Sequence, residues 1–365
     1  MAKIKDITDL LESIAPRAYQ EDYDNAGLIT GNHGDLVNGI LCTLDCVESV
    51  IDEAIEKNCN LIVAHHPIVF RGLKQLNGKN YVERTIIKAI KNDIAIYAIH
   101  TNLDNVNTGV NKKISDQLGL KNSRILTTKS STLEKLEFFI PVEDTEKVLE
   151  AIHEAGAGNI GNYSGCSFRV EGTGTFKPNE KANPVIGTNN QQEYVKENKV
   201  EVIFPAHLEG RIVGALQKAH PYEEVAYYLQ SLKNKNQEVG AGMIGELEVE
   251  MSADEFLKHL KQSMNLNTIR YTPLNNRKIK RVAVCGGAGS FLLHSAKGAK
   301  ADAFVTSDFK YHEFFDAEGE IMIADIGHYE SEVFTKELLG AFIREKFANI
   351  ATYLSEVDTN PVKYF

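Results

Sequence analysis

Two consecutive histidines, His65 and His66, follow a short apolar run with the composition of a buried β-strand, Leu61–Ala64. Successive strand residues point to opposite faces of a sheet, so neighbouring imidazoles can face one site only where the strand ends and the backbone turns. Pro67 imposes that turn, because proline fixes its own φ and disfavours helical geometry in the preceding residue. The sequence therefore predicts two nitrogen ligands at the carboxyl end of a strand, where open α/β sheets bind their ligands.

Strand-like and helix-like segments alternate on both sides of the histidine pair, which indicates βαβ units. In the first third, strands are predicted at 40–45, 61–64 and 94–99, with helices at 48–58 and 83–91. In the last third, strands are predicted at 282–285, 303–306 and 321–324, with helices at 291–297 and 329–347. We therefore expect one discontinuous α/β domain with a parallel or mixed sheet, built from residues 1–125 and 240–365.

The middle of the chain, residues 130–235, has a different pattern. It contains a strand at 136–140, a helix at 144–155, a glycine-rich stretch, a strand at 199–205, and helices at 208–219 and 223–232. Strand, helix, hairpin, strand and helix follow one another in the ferredoxin-like order. The sequence thus predicts a small α+β domain inserted into the α/β domain.

Two further strand ends also carry possible ligands. Asp104 lies shortly after the strand at 94–99, and a turn that only hydrogen-bonds its own backbone is the alternative explanation. After the strand at 321–324, His328 and Glu332 are four residues apart and share one face of a helix. Acidic residues there also suit the positive end of a helix, which is the alternative for this pair.

Together these strand ends supply three imidazoles and two carboxylates, which is more than one tetrahedral zinc needs. The set suits two divalent ions about 3.5–4 Å apart, bridged by Glu332 or Asp104. Zinc, iron, manganese and cobalt all fit a site without thiolates. Two ions carry more positive charge than two carboxylates remove, which favours an anionic substrate.

Two other segments follow strands and contain residues that could contact substrate. The glycine-rich run at 285–290 includes Gly286, Gly287 and Ser290 and could cradle a phosphate, although a tight packing turn explains it equally well. The run at 306–313 includes Asp308, Lys310 and His312, with a solvated loop as the alternative. Two acidic positions are ambiguous: Asp45 can support a ligand or cap a helix, and Asp24 can belong to a simple turn.

Bulk composition excludes several classes of protein. With 40 basic and 50 acidic residues the net charge is −10, which disfavours non-specific nucleic-acid binding. No stretch approaches the roughly 20 apolar residues of a membrane span, and the N-terminus lacks a continuous apolar signal region. The five cysteines are odd in number and form no CxxC motif, so a reducing, cytoplasmic location is expected.

The motifs, taken together, resemble the Nif-three-like family, a group named GTP cyclohydrolase 1 type 2 homologs. The resemblance rests on 24–28 (DNAGL), 61–70 (LIVAHHPIVF), 97–104 (YAIHTNLD), 240–245 (GAGMIG), 284–290 (VCGGAGS), 306–313 (TSDFKYHE) and 325–332 (DIGHYESE). It implies a dinuclear metal site, with two divalent ions per subunit, at the same five positions: His65, His66, Asp104, His328 and Glu332. One departure is Tyr23, which stands where family members often have tryptophan.

The resemblance also implies a reaction, the hydrolysis of GTP or a related nucleotide. Metal-activated water would attack the imidazole ring of guanine and release formate, with Glu332 at the centre. His312, His100 or Lys310 would donate a proton, and the phosphates would rest on Gly286, Gly287 and Ser290 with Asp308 nearby.

The motif at 220–223 (HPYE) in the middle segment is similar to one in the CutA proteins, trimeric relatives of the PII signalling fold. That resemblance implies a toroidal homohexamer in which the inserted domains pack as trimers. A metal or ligand bound by this motif is the alternative. The resemblance to the CutA proteins also supports a different function for the chain, a non-enzymatic metal-binding ring that acts as a regulator or scaffold.

Overall fold

A computed structural model describes residues 1–274 and 277–365. Its contacts divide the chain into two compact units, Met1–Thr128 with Gln237–Phe365, and Lys129–Asn236. The strands are β1 (Gly27–Thr30), β2 (Ile40–Thr43), β3 (Leu61–Ala64), β4 (Ala95–Ala98), β5 (Lys121–Thr128), β6 (Leu133–Pro141), β7 (Phe168–Phe176), β8 (Glu193–Pro205), β9 (Tyr227–Leu232), β10 (Gly240–Met251), β11 (Arg270–Tyr271), β12 (Ile279–Ala288), β13 (Ala303–Ser307), β14 (Met322–Asp325) and β15 (Thr352–Leu354). The α-helices are α1 (Ile4–Ile14), α2 (Glu48–Glu56), α3 (Tyr81–Lys91), α4 (Thr101–Asp104), α5 (Val110–Gln117), α6 (Thr145–Glu154), α7 (Glu209–Ala219), α8 (Ala253–Ser263), α9 (Leu293–Gly298), α10 (His328–Glu332) and α11 (Thr335–Lys346).

The first unit contains two mixed sheets. One has the order β1-β4-β3-β2-β15, in which β4, β3, β2 and β15 are parallel and β1 is antiparallel. The other has the order β11-β14-β13-β12-β10-β5, in which the neighbouring pairs β14–β13 and β13–β12 are parallel and the other neighbouring pairs are antiparallel. The sequence therefore predicted a mixed α/β fold correctly, but the α/β segments form two sheets.

Both sheets are buried on two faces, which explains their nearly continuous apolar strands. Val63 of β3 and Val305 of β13 belong to the same apolar cluster, so the two sheets share a core. On their opposite faces, Ile62 and Phe304 pack into separate clusters. The carboxyl ends of β2, β3 and β4 lie at one sheet edge, as do those of β12, β13 and β14 in the other sheet. Polar residues that follow these strands are therefore brought together.

The second unit has the element order β6-α6-β7-β8-α7-β9. Its sheet has the order β7-β8-β6-β9, and every neighbouring pair is antiparallel. Alternate residues of β6 and β8, such as Phe138 and Phe204, are buried together with residues of α6 and α7. The helices thus cover one face of the sheet.

Three sequence-based boundaries need correction. The helix predicted at 223–232 is wrong, because Tyr227–Leu232 is a strand that pairs with β6. The strand predicted at 282–285 extends through the glycines to Ala288. The helix predicted at 329–347 is two helices, α10 and α11. In the part of the chain that the structure describes, no helix is both long and apolar enough to cross a membrane.

Candidate metal centre

Four imidazole rings meet where the two sheet edges face each other in the first unit. The parallel register pairs Ala64 of β3 with Ala98 of β4, so the residues that follow both strands are neighbours. The ring centre of His65 lies 4.9 Å from that of His66 and 5.3 Å from that of His100. From the other sheet, α10 brings His328 within 5.3 Å of His66.

Two carboxylates lie among these rings. Oε2 of Glu332 is 3.0 Å from Nε2 of His66 and 3.1 Å from Nε2 of His328. Its other oxygen, Oε1, is 3.9 Å from Nε2 of His65, and Oδ1 of Asp104 is 3.5 Å from the same nitrogen. The groups whose ligand atoms lie within 4.8 Å of one another are His65–Asp104–Glu332, His66–His328–Glu332 and His65–His66–His100. Glu332 is therefore shared by two possible ion positions.

All four histidines are oriented in the same way. In each ring Nδ1 is paired with an oxygen: His65 with the carbonyl of Ile99 (2.8 Å), His66 with Asp45 (2.7 Å), His100 with Asp24 (2.8 Å) and His328 with Asp308 (2.6 Å). When Nδ1 donates to these acceptors, Nε2 is left as the ligand atom. Acceptors of this kind fix the tautomer and orientation of histidines that bind metals.

Two buried polar atoms at this centre have no hydrogen-bond partner among the described residues. They are Nε2 of His65 and Oδ1 of Asp104, which face each other across 3.5 Å. Leaving such atoms unpaired costs about 1–3 kcal/mol each. A cation between them would satisfy both, so the residues present fit a metal ion.

Burial and the carboxylates shift the pKa values of the histidines in different directions. Burial lowers the pKa of His65 to about 3, so its imidazole is neutral and able to act as a ligand. Burial also opposes the charged form of His66, but hydrogen bonds to Asp45 and Glu332 outweigh it and raise the pKa to about 9. The same balance, with Asp308 and Glu332, raises the pKa of His328 to about 11.

The two central carboxylates are shifted in opposite directions. Burial, together with the nearby Glu332, raises the pKa of Asp104 well above its ordinary value. Burial acts in the same sense on Glu332, but hydrogen bonds from His328 and His66 lower its pKa well below the ordinary value. Protons on two imidazoles thus supply positive charge beside Glu332. Bound cations would replace those protons.

Gly286 and Gly287 are close to the ligands, although their amides are already engaged. The amide of Gly286 donates to Asn111 Oδ1 and that of Gly287 donates to Ser331 Oγ, each at 2.9 Å. These two amides are therefore engaged within the chain, and the phosphate-binding role of the two glycines stays a prediction. Gly287 has φ +59°, and a Cβ there would lie 2.6 Å from Glu332 Oε1, so glycine is needed for close approach.

A cavity of about 660 Å³ opens onto the candidate metal centre. His66, His100, Asp104, His328 and Glu332 line it, together with both glycines and three aromatic residues, Tyr23, Phe70 and Phe291. Each aromatic side chain is exposed, so the rings form a wall accessible to solvent. A second cavity, of about 480 Å³, reaches His66 and His328 from another side and is walled by the C-terminal residues.

The remaining predicted site residues lie farther from the ligands. Asp308 contacts His328, so its clearest role is to orient a ligand. Lys310 and His312 are exposed, and neither these two residues nor Ser290 is among the residues that line the two cavities. The chain enters a 3-10 helix at Tyr311–Ala317, which carries His312 on its surface. The predicted proton-donor roles of Lys310 and His312 stay predictions.

Sequence reasoning gave Asp24 no functional role. It accepts hydrogen bonds from His100, from the amide of Thr101 and from the hydroxyl of Thr101, and these lower its pKa to about 2 despite its burial. It is 76 positions from His100 in the chain. The one available signal was its place in the DNAGL motif, since no local periodicity connects the two residues.

Comparison with known proteins identifies relatives that match nearly the full length of the chain. The family model described as Duf34/NIF3 (NGG1p interacting factor 3) matches residues 2–361. The GTP cyclohydrolase 1 type 2 homolog of Bacillus subtilis (strain 168) is 39% identical over 98% of this chain and 97% of that protein. The protein of the same name from Halalkalibacterium halodurans is 40% identical over 98% of both. A Bacillus cereus protein related to NIF3 has a crystal structure with a TM-score of 0.88 and 38% identity, covering 100% of this chain and 99% of that one.

Proposed function

This chain belongs to the Duf34/NIF3 family, and on that premise we propose that it is a hydrolase dependent on two divalent metal ions. The observation that carries the proposal is the pair of unpartnered buried atoms, His65 Nε2 and Asp104 Oδ1, beside a glutamate shared by two ligand groups. His65, Asp104 and Glu332 would hold one ion, and His66, His328 and Glu332 the other. Zinc, iron, manganese and cobalt all suit these donors. Divalent ions bound here would supply Lewis acidity that activates water.

The substrate that we propose is a nucleotide, with GTP as the first candidate. Relatives carry the name GTP cyclohydrolase 1 type 2 homolog, and the aromatic wall of the 660 Å³ cavity suits a flat heteroaromatic ring. No lysine or arginine is among the described residues that line this cavity. An anionic group would therefore lie against the metal centre rather than against basic side chains.

His100 is the residue best placed to move a proton. It lines the cavity, and its Nδ1 is paired with Asp24 at 2.8 Å. With Nδ1 held in this way, Nε2 is the atom that can give a proton to a leaving group or take one from water. Asp24 and the Thr101 hydroxyl keep the ring in this orientation.

Two variants test the hydrolase. Purified protein loaded with each candidate metal is incubated with GTP and a panel of nucleotides and phosphoesters, and formate and phosphate are measured. Wild-type protein is expected to turn over at least one substrate, and Glu332→Ala is expected to lose activity and bound metal while it stays folded. Glu337→Ala, an exposed position on α11, is the matched control and should keep both. Metal-loaded wild-type protein that leaves the whole panel unchanged contradicts the proposal.

The second unit favours an additional candidate function, a metal-binding ring that regulates or displays partners. Its βαββαβ order and antiparallel sheet suit a ferredoxin-like, PII-related insert. Phe168, Val170 and Tyr228 are exposed on strands of that sheet, which suits packing against further copies of the chain. We propose a toroidal homohexamer in the cytoplasm, where the five free thiols would stay reduced. Light scattering that gives a monomeric mass contradicts the ring, and partner binding that survives Glu332→Ala favours the scaffold over the enzyme.

A further inference from the structure

The second unit contains a cavity of about 500 Å³ that the proposed hydrolase does not use. This volume is in the range of small-molecule sites. Three aromatic rings line it, from Phe139, Phe176 and Tyr222, and Glu197 lies in its wall. The cavity lies beside the HPYE motif, which the metal centre leaves without a role.

The HPYE motif positions two of the aromatic residues that line the cavity, Phe139 and Tyr222. His220 Nε2 donates to the carbonyl of Phe139 at 2.9 Å, and the amide of Tyr222 donates to His220 Nδ1 at 3.1 Å. Both imidazole nitrogens are therefore engaged within the chain and are not free to bind a metal. The ring of Tyr222 lies 5.1 Å from that of His220 and 6.0 Å from that of Phe176.

Glu197 is the polar group that points to a ligand. Glu197 is 8% exposed, and its Oε1 accepts a hydrogen bond from the hydroxyl of Tyr222 at 3.0 Å. Within residues 1–274 and 277–365, its Oε2 accepts no hydrogen bond. Residue 174 is glycine, and a Cβ there would lie 2.0 Å from Oε2. The chain thus makes room for a carboxylate in the cavity wall, and a cation that enters the cavity could donate to its second oxygen.

The charged residues around the cavity favour a ligand with positive charge. Glu223 and Glu224 join Glu197 in the lining, against the single ammonium group of Lys177. Glu223 is held by the amide of Asn183, which donates to its Oε1 at 2.9 Å. An anion would meet three carboxylates, whereas a cation would meet complementary charge and aromatic faces, both of which attract it.

We propose that this cavity is a binding site for a small organic cation, a primary ammonium or amidinium group on an aromatic or aliphatic body. The nitrogen donates to Oε2 of Glu197, and the rings of Phe139, Phe176 and Tyr222 enclose the body. The site lies wholly in the second unit and uses none of the metal ligands. Binding is therefore expected to be the same in chelated and metal-loaded protein, whatever the outcome for the hydrolase.

Titration calorimetry on the full-length protein tests the site with defined probes. Benzamidine and phenethylamine are the cations, benzamide is the neutral isostere and benzoate is the anion. The cations are expected to bind at least about tenfold more tightly than benzamide, because a charge-assisted hydrogen bond is about twice as strong as a neutral one. Benzoate is expected not to bind.

Two variants and one control locate the binding. Glu197→Gln is expected to weaken benzamidine at least about tenfold, and Ala226→Phe, which fills the cavity, is expected to abolish binding with Glu197 intact. Glu171→Gln, on the exposed strand β7 of the same sheet, should bind as wild type does. The proposal is overturned if no cation binds folded wild-type protein at millimolar concentration. Equal affinity for benzamidine and benzamide, or unchanged binding by folded Glu197→Gln, overturns it as well.

Discussion

Asp104→Asn should have opposite effects on stability in the metal-free and the metal-loaded protein. Without metal, Oδ1 of Asp104 and Nε2 of His65 are buried, unpaired and 3.5 Å apart. An asparagine amide can donate to that nitrogen, and it also removes a carboxyl that lies close to Glu332. One restored hydrogen bond is worth about 1 kcal/mol, so the metal-free variant is expected to be as stable as wild type or slightly more stable.

In the metal-loaded protein, the variant is expected to be less stable than wild type, because it has lost a charged ligand. An ion present at about 100 times its dissociation constant stabilises the folded state by about 2.7 kcal/mol. At roughly 2–4 °C per kcal/mol for a unit of this size, two ions raise the melting temperature of wild type by about 10–20 °C. Asp104→Asn is expected to keep about half of that increase, with one ion bound per chain.

Scanning calorimetry with and without chelator, combined with elemental analysis, measures both effects. Asp116→Asn, which removes one partner of an exposed ion pair on α5, is the control and should match wild type in both states. A metal-free Asp104→Asn protein that melts several degrees below wild type, or one that still binds two ions, would refute the reasoning.

Of three further predictions, two concern residues around the centre and the third concerns a residue remote from it. Gly287→Ala is expected to lose about 1–3 kcal/mol of stability and most of its bound metal, because Gly287 has a positive φ and an added Cβ would contact the carboxylate of Glu332. Gly298→Ala is the control and should be tolerated, because a Cβ there meets nothing within 4 Å. Chemical denaturation compares the stability of the two variants. Asp45→Asn is expected to weaken metal binding about 10–100-fold by freeing His66, and competition with a metal-sensitive dye measures this; unchanged affinity would contradict it. Burial opposes the charged form of Glu53, but hydrogen bonds from the segment after β15 and from Lys57, directly after α2, lower its pKa below the ordinary 4.5. Its stabilisation should therefore be fully present above about pH 4.5 and be lost as the pH falls through the folded pKa, so urea unfolding of Glu53→Gln from pH 3 to 7 should show a flatter acid limb than wild type.

The strand ends were predictable because their signals are local. An apolar run followed by His65 and His66, or by Ile326 and Gly327 before His328, marks a strand terminus that carries a ligand. Parallel pairing then brings such termini to one edge of a sheet. The ligand groups assembled in the structure follow from these two facts.

The aspartates that accept hydrogen bonds from Nδ1 of the histidines were not predictable in the same way. Asp45 and Asp308 lie 21 and 20 positions from the histidines that they orient. The sequence suggested a supporting or capping role for Asp45 and a substrate contact for Asp308, but it did not connect either residue to a particular histidine. The misassigned strand β9 has a different cause. Pro221 with two glutamates shortly after it is typical of a helix start. Tyr227 and Leu229 are nevertheless less exposed than Tyr228 between them, because β9 is a strand that pairs with β6.

The acceptors also change the charge balance of the centre. Asp24, Asp45 and Asp308 surround the histidines, in addition to Asp104 and Glu332 among the ligands. Five carboxylates therefore face the four positive charges that two divalent ions would bring, so the loaded centre is close to electroneutral. Two monovalent ions would leave three of these five carboxylate charges uncompensated. Charge therefore favours divalent over monovalent ions at this centre, and an anionic substrate or product would bind there through direct contact with the ions, because the surrounding carboxylates cancel the surplus positive charge that the ligands alone would leave.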